Sequence, residues 1–215
     1  MYTQEVTESL SPEDALRILQ EGNERFRANL KSNRDLLQQV NLTRDGQFPF
    51  AAVLSCIDSR TSAELIFDQG LGDIFSVRIA GNFLNDDILG SLEFACRVAG
   101  AKLIVVLGHS RCGAIKGACD GVDLGHLTTM LEKIGPAIDA VSEPADLAAR
   151  TSANAEFVEA VAHENVRLAV EGISERSGVL SEMRANGEIG IVGGMYDVAS
   201  GAVEFRPATE GDRSG

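Results

Sequence analysis

Two short runs limit what this chain of 215 residues can fold into: Cys56-Ile57-Asp58-Ser59-Arg60 and His109-Ser110-Arg111-Cys112-Gly113. Each follows an apolar stretch, Phe50-Ala51-Ala52-Val53-Leu54 before the first and Leu103-Ile104-Val105-Val106-Leu107 before the second. Short apolar runs rich in β-branched residues read as strands buried on both faces. Each motif then leads into small residues that can open a helix. In a parallel sheet, neighbouring strands deliver their C-terminal ends to one crevice, the usual ligand site of open α/β folds. Two thiols, an imidazole, a carboxylate and a guanidinium would meet there. Cys2His is a catalytic zinc set because three protein ligands leave the fourth tetrahedral position to water or substrate.

The rest of the chain fits that plan. Ser11-Pro12-Glu13-Asp14 reads as a helix start, with Ser11 as N-cap, Pro12 in the first turn and acids at the positive end of the dipole. Apolar spacing carries the helix over residues 12–29. Residues 31–49 are polar and read as an irregular arm. Strands are expected at 50–56, 74–79, 102–108 and 189–192. Helices are expected at 61–69, 86–98, 112–119, 124–140 and 152–177. Ala199-Ser200-Gly201, between Tyr196-Asp197-Val198 and Ala202-Val203-Glu204-Phe205, reads as a tight turn before an edge strand. The expected architecture is α/β: a mainly parallel sheet of about four strands plus a C-terminal edge strand, flanked by helices. The N-terminal helix and arm fill 1–49, one catalytic domain fills 50–208, and 209–215 is a polar tail.

Composition excludes several functions. A net charge of −13 argues against nucleic-acid or anionic-membrane binding, which need clustered Lys and Arg. No run approaches the roughly 20 apolar residues of a membrane span. The start, Met1-Tyr2-Thr3-Gln4-Glu5-Val6, lacks a basic, apolar leader, so the expected location is cytoplasmic. In that setting four cysteines favour metal or catalytic use over disulfides. Cys96 falls in a helical apolar pattern and Cys119 near a helix end, both read as packing. His126 and His163 have no metal-type neighbours in sequence. With neither GxGxxG nor GxxxxGK[ST] present, nucleotide binding has no support.

Cys56-x-Asp58-x-Arg60, followed 53 positions after Cys56 by His109-x-x-Cys112-Gly113, resembles the β-class carbonic anhydrases. So does the segment between them, Phe67-Asp68-Gln69-Gly70-Leu71-Gly72-Asp73-Ile74 through Arg78-Ile79-Ala80-Gly81-Asn82, together with Gly90-Ser91-Leu92-Glu93-Phe94-Ala95. The likeness spans about residues 10–205. It implies a lyase that interconverts carbon dioxide and bicarbonate, with one Zn2+ per chain on Cys56, His109 and Cys112, in a homodimer or tetramer. Gln47 stands where the family has a glutamine that hydrogen-bonds substrate or product. Phe75 matches an aromatic wall of the substrate pocket, Phe94 replaces a frequent tyrosine there, and Ala80 replaces a frequent valine. Gly113 matches a backbone donor near the zinc. The glutamine and aromatic positions come from a neighbouring subunit in the family, which implies a site at an interface. Some members bind bicarbonate at a second site and carry Trp and Gly three and one residues before the first zinc cysteine; here those positions are Val53 and Ser55. No such regulation is therefore expected, and Asp58 is expected to rest on Arg60.

The chemistry also follows residue by residue. Zinc lowers the pKa of bound water from 15.7 to about 7, which supplies a nucleophile at neutral pH. Asp58, two residues beyond Cys56 in an extended segment, faces the same side and can orient that nucleophile. Arg60, two residues on, can hold Asp58 ionised by a two-pronged ion pair. Released from Arg60, Asp58 becomes a possible fourth metal ligand in a closed state. Two other functions share parts of the pattern: a carbon disulfide or carbonyl sulfide hydrolase on the same scaffold, and a catalytically silent zinc-binding regulatory protein.

Overall fold

The computed structural model describes residues 3–207; the expected tail at 209–215 lies outside them. Five strands, β1 (Ala51–Ser55), β2 (Ile74–Arg78), β3 (Leu103–His109), β4 (Gly190–Tyr196) and β5 (Val203–Pro207), form one sheet in the order β2-β1-β3-β4-β5. The first four run parallel and β5 returns antiparallel along β4. Every residue of β1 and β3 is buried, as expected for parallel strands covered on both faces.

The alternation of side chains divides the core. Ala52, Leu54, Ile104, Val106 and Ile191 face one side with the long helix α9 (Ala155–Arg176). Ala51, Val53, Leu103, Val105 and Leu107 face the other, under α2 (Pro12–Arg27) and α4 (Ala63–Ile66). At Gly108 the α9 side comes so close that an added Cβ would lie 2.5 Å from Val166 and 2.7 Å from the sulfur of Met195. The strand that carries His109 is thereby seated directly against α9.

The helix starts follow capping chemistry. Ser11 and Asp14 cap α2 reciprocally, and Asn154 opens α9 by accepting from the Phe157 N–H. The arm departs from expectation. Residues 31–49 contain a helix, α3 (Leu36–Thr43), opened by Asp35, whose side chain accepts from Gln38 N–H at 2.9 Å. A further turn, α1 (Gln4–Ser9), is capped by Thr3. Single caps in a polar context are weak signals beside hydrophobic periodicity. The helix expected at 124–140 is broken into α7 (Gly125–Leu131), a 3-10 turn at Glu132–Ile134 and α8 (Gly135–Ala140). Pro136 lacks the N–H that a continuous helix would need. Between these elements lie α5 (Asp86–Glu93), which widens into a π turn over Phe94–Val98, α6 (Gly113–Cys119), and the unanticipated α10 (Gly178–Ala185) capped by Ser177.

Candidate metal centre

The sheet order puts a reversal between β1 and β3: the chain leaves β1 towards β2 on one side and comes back to β3 on the other. Crevices at such reversals, beyond the strands' carboxyl ends, are where open α/β sheets bind ligands. Ser55 pairs with Leu107, so Cys56 leaves β1 level with Gly108, beside His109. Cys112 caps α6 just beyond. Arg111 between them takes a left-handed step, φ 57°, and so turns the chain sharply between the two residues. One ligand atom from each of Cys56, His109 and Cys112 lies within 4.8 Å of the others, and the two sulfurs are 3.9 Å apart. All three residues are buried.

The donor set suits a metal ion. His109 Nδ1 lies 3.0 Å from the Ser110 carbonyl. With its proton there, Nδ1–H donates to that oxygen and leaves the Nε2 lone pair free. Nε2 is buried without a hydrogen-bond partner, an arrangement that costs free energy unless something fills it. The thiols point the same way. The hydrogen bond with Cys112, ahead of the Gly81 and Asp58 N–H groups each 3.4 Å from the sulfur, lowers Cys56 well below its ordinary range. Cys112 is pushed up, first by that same hydrogen bond and then by burial. A divalent cation bound between the two sulfurs would hold both as thiolates. Cys96, buried and pushed up to about 12, stays outside the cluster, as does half-buried Cys119. Neither His126 nor His163 belongs to it either.

Asp58 is fixed beside this cluster. Arg60 donates to its Oδ1 from the backbone N–H at 3.0 Å and from Nε at 2.9 Å, and to Oδ2 from a terminal nitrogen at 2.8 Å. Above all through those side-chain bonds, Arg60 holds the Asp58 carboxyl well below the usual carboxylate range. The loop itself is clamped by further groups, of which Arg78 falls in the segment that resembles the family while Thr61 and Asn165 fall in no motif. Thr61 Oγ1 donates to the Cys56 and Asp58 carbonyls, and Arg78 donates to the same two oxygens at 3.0 and 2.7 Å. Buried Asn165 on α9 donates to the Gly81 carbonyl at 2.8 Å. Gly81 itself has φ +81°, and a Cβ there would meet Ile134 at 2.7 Å. These contacts span 3 to 84 residues in sequence, and the long-range ones depend on the finished fold.

A cavity of about 410 Å3 opens beside Cys56 and Asp58, with Ala80, Gly113, Val122 and Leu127 among its lining residues. The structure therefore gathers Cys56, His109, Cys112, Asp58, Arg60, Ala80 and Gly113. It does not bring Gln47, Phe75 or Phe94 to them. Gln47 is exposed on the loop before β1. Phe75 and Phe94 meet edge-on, ring centres 6.2 Å apart, in a separate surface pocket with Ser76, Asp86 and Gly90. The cavity wall from α7 and the turn before it, including Val122, Leu127, Met130 and Leu131, had no motif to reveal it.

Comparison with known proteins agrees with this geometry. Residues 51–203 match the family model described as carbonic anhydrase. The chain is 36% identical over 203 residues to carbonic anhydrase 2 of Mycobacterium tuberculosis, covering 91% of this chain and 93% of that protein. It is 36% identical to the carbonic anhydrase of Mycolicibacterium smegmatis, covering 91% and 94%. Among solved structures, the β-carbonic anhydrase CafA of Aspergillus fumigatus superposes with a TM-score of 0.71 at 28% identity, covering 81% of this chain and 83% of that one.

Proposed function

Because this chain belongs to the carbonic anhydrase family, in its β class, and is thus a lyase, we propose that it interconverts carbon dioxide and bicarbonate using one zinc ion per chain. The observation that carries this is the buried Cys56–His109–Cys112 cluster, with an unpartnered imidazole nitrogen, at a cavity that also holds the fixed Asp58. Zinc held there by two thiolates and one imidazole would act as a Lewis acid, making water a nucleophile near neutral pH.

The remaining steps belong to the side chains. The Asp58 carboxylate accepts a hydrogen bond from the attacking water and so sets its direction. Arg60 keeps Asp58 ionised and pointed. Ala80, Leu127 and Met130 give carbon dioxide an apolar approach with no hydrogen bond to break. The Gly113 backbone, at the start of α6, faces the same cavity and offers bicarbonate a donor. The proton leaves to buffer. Gln47, Phe75 and Phe94 act from a second subunit, completing the partner's pocket in a homodimer or tetramer. Two features support that assembly. β2 ends the sheet, and Phe94, Val98, Leu30, Leu36 and Leu37 are apolar side chains left exposed, which an interface would cover. Among the described residues no helix is long and apolar enough to cross a membrane, and a cytoplasmic location fits.

Stopped-flow hydration of carbon dioxide by zinc-loaded protein tests this. The expected result is rapid hydration, lost on stripping the metal and restored by zinc. Hydrolysis of carbonyl sulfide or carbon disulfide without hydration would instead assign the sister activity. Bound zinc with neither activity would make the protein a silent zinc binder.

A further inference from the structure

The imidazole of His109 is oriented by the carbonyl of the next residue, so whatever holds Ser110 holds the ligand. Ser110 is held from three directions. Its N–H donates to the Tyr196 carbonyl at 2.9 Å, continuing the β3–β4 ladder one step past the His109–Tyr196 pair. Its hydroxyl donates to Asp197 Oδ1 at 3.2 Å and accepts from the Val198 N–H at 3.1 Å. Ser110 then leads into Arg111, whose left-handed backbone, φ 57°, is unfavourable for a residue with a side chain and persists only where its surroundings enforce it.

Asp197 is itself rigidly placed. Its carboxylate accepts from the Ala199 N–H at 3.0 Å, and from the Ser200 N–H at 3.2 Å and hydroxyl at 2.6 Å. Its backbone closes the same turn through Ala202 and Gly201. The turn is pinned to α2 by buried Asn23, which donates to the Gly201 carbonyl and accepts from the Val203 N–H, each at 2.9 Å. A rigid hairpin far along the chain thus grips the residue between one metal ligand and a strained step to the next.

We propose that Asp197 is a positioning residue for the metal centre, acting through Ser110 to hold the His109–Cys112 loop in its ligand-ready shape before metal arrives. This rests on the zinc reading above. Hydrogen-bond partners that orient metal ligands typically alter affinity or activity 10- to 100-fold when removed. Asp197 lies one step further out, and its effect passes through the loop backbone.

The test is zinc affinity, measured by competition with a chromophoric chelator, alongside the visible absorption of the cobalt-substituted protein. Ser110→Ala deletes one oxygen and should hold zinc about tenfold less tightly, with a changed cobalt spectrum; Ser110→Thr should restore both. Asp197→Ala should weaken zinc by a similar factor. The double variant should be no weaker than the worse single one, because both remove the same link. A parent protein that holds no zinc would overturn the metal reading itself. A parent that holds zinc, with Ser110→Ala and Asp197→Ala holding it equally tightly, would overturn this inference alone. So would a lowered melting temperature with unchanged zinc affinity, or losses that add in the double variant.

Discussion

Replacing Arg60 by alanine should separate catalysis from stability. The side chain gives Asp58 two of its three Arg60 hydrogen bonds, at 2.9 and 2.8 Å, and the backbone N–H at 3.0 Å survives the change. In stability the loss is small: Arg60 is 49% exposed, against 18% for Asp58, and an ion pair so open to water contributes about 0–1 kcal/mol. In turnover the loss is large. A carboxylate left with one backbone donor can rotate about its side-chain torsions. Losing a positioned acid–base or orienting group costs on the order of 100-fold, about 2.7 kcal/mol of barrier. Protonation cannot account for such a loss. Freed from Arg60, the Asp58 carboxyl rises towards its ordinary value of 3.8, still far below neutral pH, so raising the pH should not rescue the variant. Arg60→Lys keeps the charge without the planar fork and should fall between. Asp58→Asn should lose at least as much as Arg60→Ala. The assays are stopped-flow hydration from pH 6 to 9, metal content and chemical denaturation. Turnover of Arg60→Ala within about threefold of the parent, or recovery on raising the pH, would refute the orienting role and leave a structural ion pair.

Cys112→Ala should abolish both metal binding and turnover, since two ligands remain with an unbalanced buried charge; elemental analysis showing one zinc per chain would contradict the ligand set. Gly22→Ala should destabilise the fold by about 2 kcal/mol or more, because its Cβ would fall 1.9 Å from the Phe67 carbonyl oxygen; an unchanged denaturation midpoint would count against the packing of α2. Ser200 above all holds the Asp197 carboxyl down at about 2, against an ordinary 3.8; a depressed carboxylate stabilises the fold fully above its unfolded value and loses that as pH falls through its folded one. The stability gap between the parent and Asp197→Asn should therefore stay constant above about pH 5 and shrink between about pH 4 and pH 2, as urea titrations at stepped pH would show. Bicarbonate should inhibit hydration only as a competing product, because Val53 and Ser55 are fully buried and Arg78 is engaged by the Cys56 and Asp58 carbonyls; sigmoidal inhibition at fixed pH and ionic strength would show otherwise.

The parallel sheet was legible because β1 and β3 are continuous apolar runs, and burial on both faces leaves no other composition open to them. The edge strand β5 was legible from Ala199-Ser200-Gly201, whose glycine has φ +75°. The breaks within helices were less so. Continuous apolar periodicity across residues 124–140 outweighed Gly135-Pro136, and the π turn after Glu93 leaves no trace in residue spacing. Likewise α3 rests on one Asp35 cap and a polar sequence, where periodicity has little to report. The metal-type residues could be picked out because their chemistry is rare and their spacing short. Arg78 stood in the segment that resembles the family, but Thr61, Asn165 and Asp197 could not be picked out, because what matters is the backbone group each reaches, and that depends on the finished fold.

The same contrast divides the site itself. Cys56, Asp58, Arg60, His109 and Cys112 all lie at or just beyond the ends of two adjacent strands, so one chain assembles them unaided. Gln47 and the Phe75–Phe94 pair lie on a loop and at the β2 edge, exposed or only partly covered, and away from the metal cavity. Exposed aromatic side chains at a sheet edge gain little in a lone chain and gain burial at an interface. On the proposed function, metal affinity would belong to the single chain, whereas full substrate recognition would need the assembly. Dilution to the monomer should then spare zinc binding while turnover falls, and sedimentation run beside the hydration assay would separate the two. A monomer that hydrates carbon dioxide at the full rate would mean that Ala80, Gly113 and the α6–α7 wall suffice, with Gln47 and the aromatic pair left to assembly alone.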